Sequence, residues 1–283
     1  MRLSFVWKIC KQIFIFAFTI IGTIWSAMEI ITGIFADWQL GWDLATNVWV
    51  YVVPAIGGGA FRLIYLLKNE VFPSHKFDDK LITVRAGNIL KKKKGNIIVG
   101  INKSMETSED LIASGSIHMQ LLKENENNAV EMEQIFERHR QGNDPDELFF
   151  QGEVNGKDII FLVMSDLSGA QTAATSKSQV EEGLQELFSH QHVVHITNGT
   201  VYCPVLGTGQ AGLSLTMHDT VILIVKNFLN YCRCRGVEDA DKIKRLKIIV
   251  YTKQMLCIDW IALNKEIGFM IERCKLCEGL GLK

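Results

Sequence analysis

These 283 residues carry no excess charge of either sign: 30 Lys and Arg stand against 31 Asp and Glu, a formal net charge of −1. A protein whose main work is coating nucleic acid needs a clustered positive excess, so no nucleic-acid partner is expected. Charged residues are also few, 22% against 48% apolar, and a chain that apolar buries a core rather than staying disordered. Paired cysteines are lacking: the seven Cys are odd in number and scattered, which argues against a disulfide framework. Cys232-x-Cys234 and Cys274-x-x-Cys277 lack ordinary zinc spacing, and His190, His192 and His195 have no acidic or thiol neighbour, so no metal and no cofactor are expected. A P-loop is missing too, since Gly-Lys-Ser/Thr occurs nowhere.

What is present is divided unevenly. The mean hydropathy of +0.13 is high for a soluble enzyme, and the first seventy residues hold every Trp except Trp260. Residues 12–28 and 44–61 are uncharged runs of 17 and 18 residues, and roughly 20 helical residues cross a hydrocarbon core. The short link between them contains Trp38 and Trp42, residues favoured at membrane interfaces, so 1–70 reads as a two-span helical hairpin. A cleaved signal peptide fits less well, because a second run follows within ten residues. Arg2, Lys8 and Lys11 precede the hairpin and Arg62 and Lys68 follow it, which places both ends in the cytoplasm. Glu29 is the only acid in a span; an intramembrane carboxyl is a functional candidate, with a neutral Glu29 facing Asn47 or Tyr51 as the structural alternative. Pro54 and the run Gly57, Gly58, Gly59 interrupt the second span, and such small residues let helices approach closely, within the hairpin or between copies of the chain.

Composition changes near residues 68–78, and residues 71–283, with 25 basic and 27 acidic side chains, form the second domain. Expected strands at 80–85, 97–101, 159–164, 200–206 and 246–252 alternate with expected helices at 127–140, 178–189, 219–232 and 258–273. That alternation predicts an α/β domain around a mostly parallel or mixed sheet. The polar stretch 123–147 reads as a surface insertion. The sharpest feature is the strand before Gly207, Thr208, Gly209, Gln210, Ala211 and Gly212, followed by a helix. Glycines let main-chain N–H groups approach phosphate oxygens, and a helix N-terminus favours negative charge. A tight strand-to-helix turn with no ligand is the alternative. The Rossmann reading fails, because the next strand ends Tyr251-Thr252-Lys253 with no acid for a ribose.

These residues resemble a macrodomain, an α/β/α fold that binds ADP-ribose through two loops at the carboxyl ends of its strands. Gly87, Asn88 and Ile89 stand where that family has Gly-Asp-Ile, with the Asn88 amide oxygen in place of the acid that accepts from the adenine amine. Asn102 ends a strand where the family has its Asn-rich segment, and the Gly207 loop follows a Pro-containing strand as in family members. Family hydrolases carry a glycine-rich loop after the Asn, whereas residues 103–108 here are Lys-Ser-Met-Glu-Thr-Ser; Ser116 and its neighbours are the candidate substitute. That departure suits a binding module, with no enzyme activity expected. Two spans joined to such a domain resemble the membrane effectors of Thoeris anti-phage defence. The resemblance implies a bacterial inner-membrane protein working with a TIR-domain enzyme. That enzyme's ADP-ribose-derived signal, a histidine conjugate, binds the macrodomain, and the spans then self-assemble and damage the lipid bilayer. A membrane-anchored ADP-ribosyl hydrolase, with Asn102 positioning water, is the alternative.

Overall fold

The computed structural model describes residues 2–34, 47–67, 72–92, 94–108, 112, 115–142, 147–167, 173–190, 194–207, 215–233 and 243–279. The chain divides into two compact units, Met1–Pro73 and Ser74–Lys283.

In the first unit α1 (Arg2–Ile34) packs against α2 (Trp49–Leu66). Within them, Ile9–Thr32 with mean hydropathy 1.9 and Trp49–Leu66 with mean hydropathy 1.4 are long and apolar enough to cross a membrane. A core helix of a soluble protein would be mostly buried, yet only 0% and 17% of these two stretches are. Trp7, Phe14, Phe18, Trp25, Ile56 and Phe61 are all exposed. The pair is antiparallel: the Trp25 and Tyr51 rings lie 5.8 Å apart, and Arg62 donates to Gln12 Oε1 at 3.3 Å. The expected interruption at Pro54 is absent, and α2 is a single helix through it. Proline removes one N–H, a loss that packing against a neighbouring helix tolerates.

The second unit holds β1 (Ser74–Phe77), β2 (Lys80–Gly87), β3 (Asn96–Asn102), β4 (Phe149–Val154), β5 (Lys157–Leu167), β6 (Ala173–Ala174), β7 (Thr200–Pro204) and β8 (Arg245–Tyr251). They form one mixed sheet in the order β1-β2-β8-β7-β3-β5-β4, with β6 paired to the end of β5. The pairs β2–β8, β8–β7, β7–β3 and β3–β5 are parallel, whereas β1 and β4 run antiparallel at the two edges. Central strands such as β3 are buried on both faces, hence their near-continuous β-branched sequences.

Helices cover both faces. Ile97, Val99 and Ile101 of β3 face α3 (Ile117–Glu124) and α4 (Asn128–Arg140), in one cluster with Leu121, Phe136 and Phe161. The Phe136 ring meets the rings of Phe150 and Phe161 edge-on at 6.0 Å and 5.1 Å. The other face takes α5 (Lys177–Ser189), α6 (Met217–Arg233) and α7 (Trp260–Gly279), which pack in series. Trp260 is fully buried and donates through Nε1 to the Met255 carbonyl at 2.8 Å.

The stretch 123–147 is not a surface insertion. Its helix α4 is amphipathic, and Met132, Ile135 and Phe136 are buried against the sheet. The polar composition belongs to the helix's outer face, and three side chains at helical spacing are enough to seat it.

Candidate ligand-binding site

All five parallel strands end on one edge, at Gly87, Tyr251, Pro204, Asn102 and Leu167. The chain leaves β3 for β5 on one side and β7 for β8 on the other, so the order reverses between β7 and β3. In open α/β sheets the crevice outside the carboxyl ends at such a reversal is the usual ligand site. Asn102 and Gly207 flank it directly, and Gly87 and Asn88 lie two strands away on the same edge.

Each predicted polar residue described there already holds its own backbone in shape. Asn88 Oδ1 accepts from the Leu90 N–H at 3.0 Å and caps the short 3-10 turn Ile89–Lys91. Its remaining lone pair stays available to a ligand. Ile89 is buried beneath that turn. At Gly87 an added Cβ would meet nothing nearer than Ile249 Cγ2 at 3.8 Å, so crowding does not demand glycine there.

Asn102 is 7% exposed, and its Oδ1 accepts from the Glu106 N–H at 3.2 Å. Its carbonyl accepts from the Met105 N–H at 3.0 Å, and Met105 takes a left-handed φ of 53°. The segment replacing the glycine-rich loop therefore begins as a tight turn, tied to α4 where Thr107 Oγ1 donates to Glu133 at 2.9 Å. Ser116 Oγ accepts from the Met119 N–H at 3.0 Å as the N-cap of α3.

Gly207 is buried with φ 69°, a left-handed conformation for which glycine is suited. Thr208, Gly209, Gln210, Ala211 and Gly212 lie outside the described residues. The helix N-terminus expected to take a phosphate is occupied from within. Thr216 Oγ1 donates to Asp219 Oδ2 at 2.6 Å and accepts from the Asp219 N–H at 3.1 Å, a reciprocal cap that sets a carboxylate on the first turn of α6. An anion placed at this helix N-terminus would meet that charge.

Two side chains with catalytic chemistry are inert. Cys203 is fully buried and burial pushes its thiol far above the usual range. His118 is 3% exposed and burial lowers its imidazole to about 4, so it is neutral at cellular pH. Among the described residues no group of His, Cys, Asp and Glu could hold a metal ion. A cleft of about 420 Å³ is lined by Thr107, Leu122, Lys123, Asn125, Glu126 and Ala129. It sits by the C-terminal end of α3, whose Glu124 pairs with Lys157 at the start of β5, away from the carboxyl edge.

In the helical unit Gly58 and Gly59 both face α1, Gly58 the more closely: a Cβ there would fall 2.0 Å from Ile20 Cδ1. Gly59 would meet Ile13 Cγ2 at an ordinary 3.5 Å, and Gly57 faces open space. Glu29 is exposed.

A family model described as Thoeris protein ThsA, Macro domain, matches residues 82–251. A mutant of the Oceanobacillus iheyensis macrodomain is similar at 14% identity and TM-score 0.48, over 71% of this chain and 98% of that one. The same macrodomain with ADP gives 14% and 0.46, over 71% and 97%. The macrodomain of Thermus aquaticus DarG gives 15% and 0.41, over 60% and 97%. No curated protein matches the chain.

Proposed function

The chain belongs to the family of the Thoeris protein ThsA macro domain, and on that premise we propose that it is a membrane effector of anti-phage defence. Its macrodomain binds an ADP-ribose-derived signal, a histidine conjugate made by a TIR-domain enzyme. Binding drives copies of the chain to assemble through α1 and α2, and the assembly disrupts the bacterial inner membrane, with both termini on the cytoplasmic side. The observation that carries this reading is the family match from β2 to β8, which takes in every parallel strand forming the carboxyl edge and the left-handed Gly207 turn. Two apolar helices exposed along their length support the membrane half.

The protein works here as a binder without catalysis of its own. Asn102, the residue that would position water in a hydrolase, already accepts the Glu106 N–H through its side-chain oxygen. A ligand drives assembly only by binding the assembled form more tightly than the resting one, and a coupling of about 1–3 kcal/mol per subunit suffices when many copies act together.

The test is calorimetric titration of the full chain in nanodiscs with ADP-ribose and with its histidine conjugate. Micromolar or tighter binding that favours the conjugate is expected, and Gly209→Glu, which sets a carboxylate against the diphosphate, abolishes it without changing expression. Absence of heat from a folded sample with either ligand would overturn the reading. Release of free ADP-ribose from a modified substrate would move the protein to the hydrolase class.

A further inference from the structure

The strands β1, β2 and β8 carry five basic residues and no acid. Their register sorts those residues by face. Lys76 pairs with Leu81, Leu81 with Arg245, Thr83 with Lys247 and Arg85 with Ile249, so Lys76, Arg85, Arg245 and Lys247 share one face. Lys80 goes to the other face, buried and 3.5 Å from Asp79. That other face is covered by helices: His75 meets Asn264 of α7 at 3.4 Å, and Phe77 is fully buried.

Among the described residues no α-helix packs closely on the cationic face of β2 and β8. On its side of the sheet α3 packs on β3 and α4 on β4, and neither packs on β2 or β8. Lys76, Arg85 and Arg245 are exposed and Lys247 is half-buried. Lys247 Nζ lies 5.2 Å from the centroid of the neighbouring Tyr202 ring. Ile89 of the 3-10 turn packs with Tyr202 and Ile249, which brings Lys91 and Lys92 beside the same face. None of these six cations pairs with a carboxylate among the described residues. The patch is a sheet-flat array of exposed and half-buried positive charge in a chain whose net charge is −1.

We propose that this face docks on the anionic lipid headgroups of the bilayer that α1 and α2 enter; the proposal rests on the reading that those helices span a membrane. Positive side chains on a plane match a surface of negative charge, and basic residues near a span are attracted to it. Residues 67–73 separate the end of α2 from β1, a link of at most about 25 Å when fully extended. Single-stranded nucleic acid fits the face less well, because its aromatic residue Tyr202 is buried and offers no base a stacking surface. Docking by a face leaves the carboxyl edge at the side, open to a ligand.

The test uses the full chain in nanodiscs of neutral phosphatidylcholine and in discs containing about one third phosphatidylglycerol. Lysine acylation is followed residue by residue by mass spectrometry. Lys76 and Lys247 are expected to react at least threefold more slowly in the anionic discs, with the protection lost in 0.5 M salt and in the double variant Arg85→Gln, Arg245→Gln. Lys265 on α7 serves as the unchanged reference. Equal rates in the two disc types, from protein that copurifies with them, would overturn this proposal alone. Failure to copurify would overturn the spanning reading and the proposal together. Protection in neutral discs on adding an oligonucleotide would overturn it in favour of a nucleic-acid partner.

Discussion

Replacing His118 by Phe should remove a specific part of the protein's acid sensitivity. The imidazole is buried in the first turn of α3, edge-on to the Phe136 ring at 6.1 Å, with Nε2 unpartnered. Burial lowers its pKa from 6.5 to about 4 in the folded state, while the unfolded chain keeps an ordinary value near 6.5. Above about pH 6.5 both states are neutral and the group contributes no pH dependence. Between there and about 4 the unfolded state binds a proton that the folded state refuses, so stability falls as pH falls. The loss is about 2 kcal/mol by pH 5 and about 3 kcal/mol once the folded pKa is passed. His75, also lowered by burial and partly restored by Asn264, acts with the same sign, which makes the difference between wild type and variant the informative quantity. Urea unfolding of the unit Ser74–Lys283, followed by far-ultraviolet circular dichroism from pH 7.5 to 5, measures it. Parallel pH profiles for the two proteins would refute the assignment of His118 as a buried, neutral side chain.

In the helical unit, Gly58→Leu should disrupt the hairpin itself by colliding with Ile20, whereas Gly57→Leu leaves the hairpin intact and weakens association only if copies pack there; single-copy and multi-copy crosslinking in membranes separates the two. Phe136→Ala should destabilise the α/β unit by about 3–5 kcal/mol, because the fully buried ring bridges Phe150 and Phe161; a fall in the urea midpoint of that size is the check. Gly207→Ala should cost about 1–2 kcal/mol from the left-handed φ and weaken ligand binding by calorimetry, since that turn opens the segment proposed to hold the diphosphate.

Much of the sheet was legible because its parallel strands are β-branched runs buried on both faces, a signal that survives without tertiary context. The edge strands were not. β1 is the four residues Ser-His-Lys-Phe, and β4 joins a polar stretch whose apolar residues are buried only in the folded sheet. Eight-residue α3 is too short to show a helical period. The candidate site was half legible. Residues at strand ends could be placed on one edge, but the commitment of Asn88 and Asn102 to turns depends on φ and ψ several residues away. A Thr216-x-x-Asp219 spacing was the one local sign that the α6 terminus is self-capped. Of the cationic face only the lysine run from Lys91 stands out in the sequence; Lys76, Arg85, Arg245 and Lys247 come together only through the β1–β2–β8 register.

These commitments decide how the site can be interrogated. Asn88, Asn102 and Ser116 each stabilise a turn or a helix start with the oxygen that a ligand contact would also use. Alanine at any of them would therefore alter loop geometry and direct contact together, and a lost affinity could not be assigned to either. Asp replacing Asn88 keeps the acceptor for the Leu90 N–H while adding the charge of the macrodomain pattern, so it changes the ligand contact without removing the turn. The side-chain oxygens of Asn88, Asn102 and Ser116 each hold a backbone N–H, so the diphosphate contact proposed for the glycine loop is one that substitutions at these three positions do not delete. A backbone-directed change, through the one glycine held at positive φ on this edge among the described residues, is then the sharper probe of binding than any polar-to-alanine series.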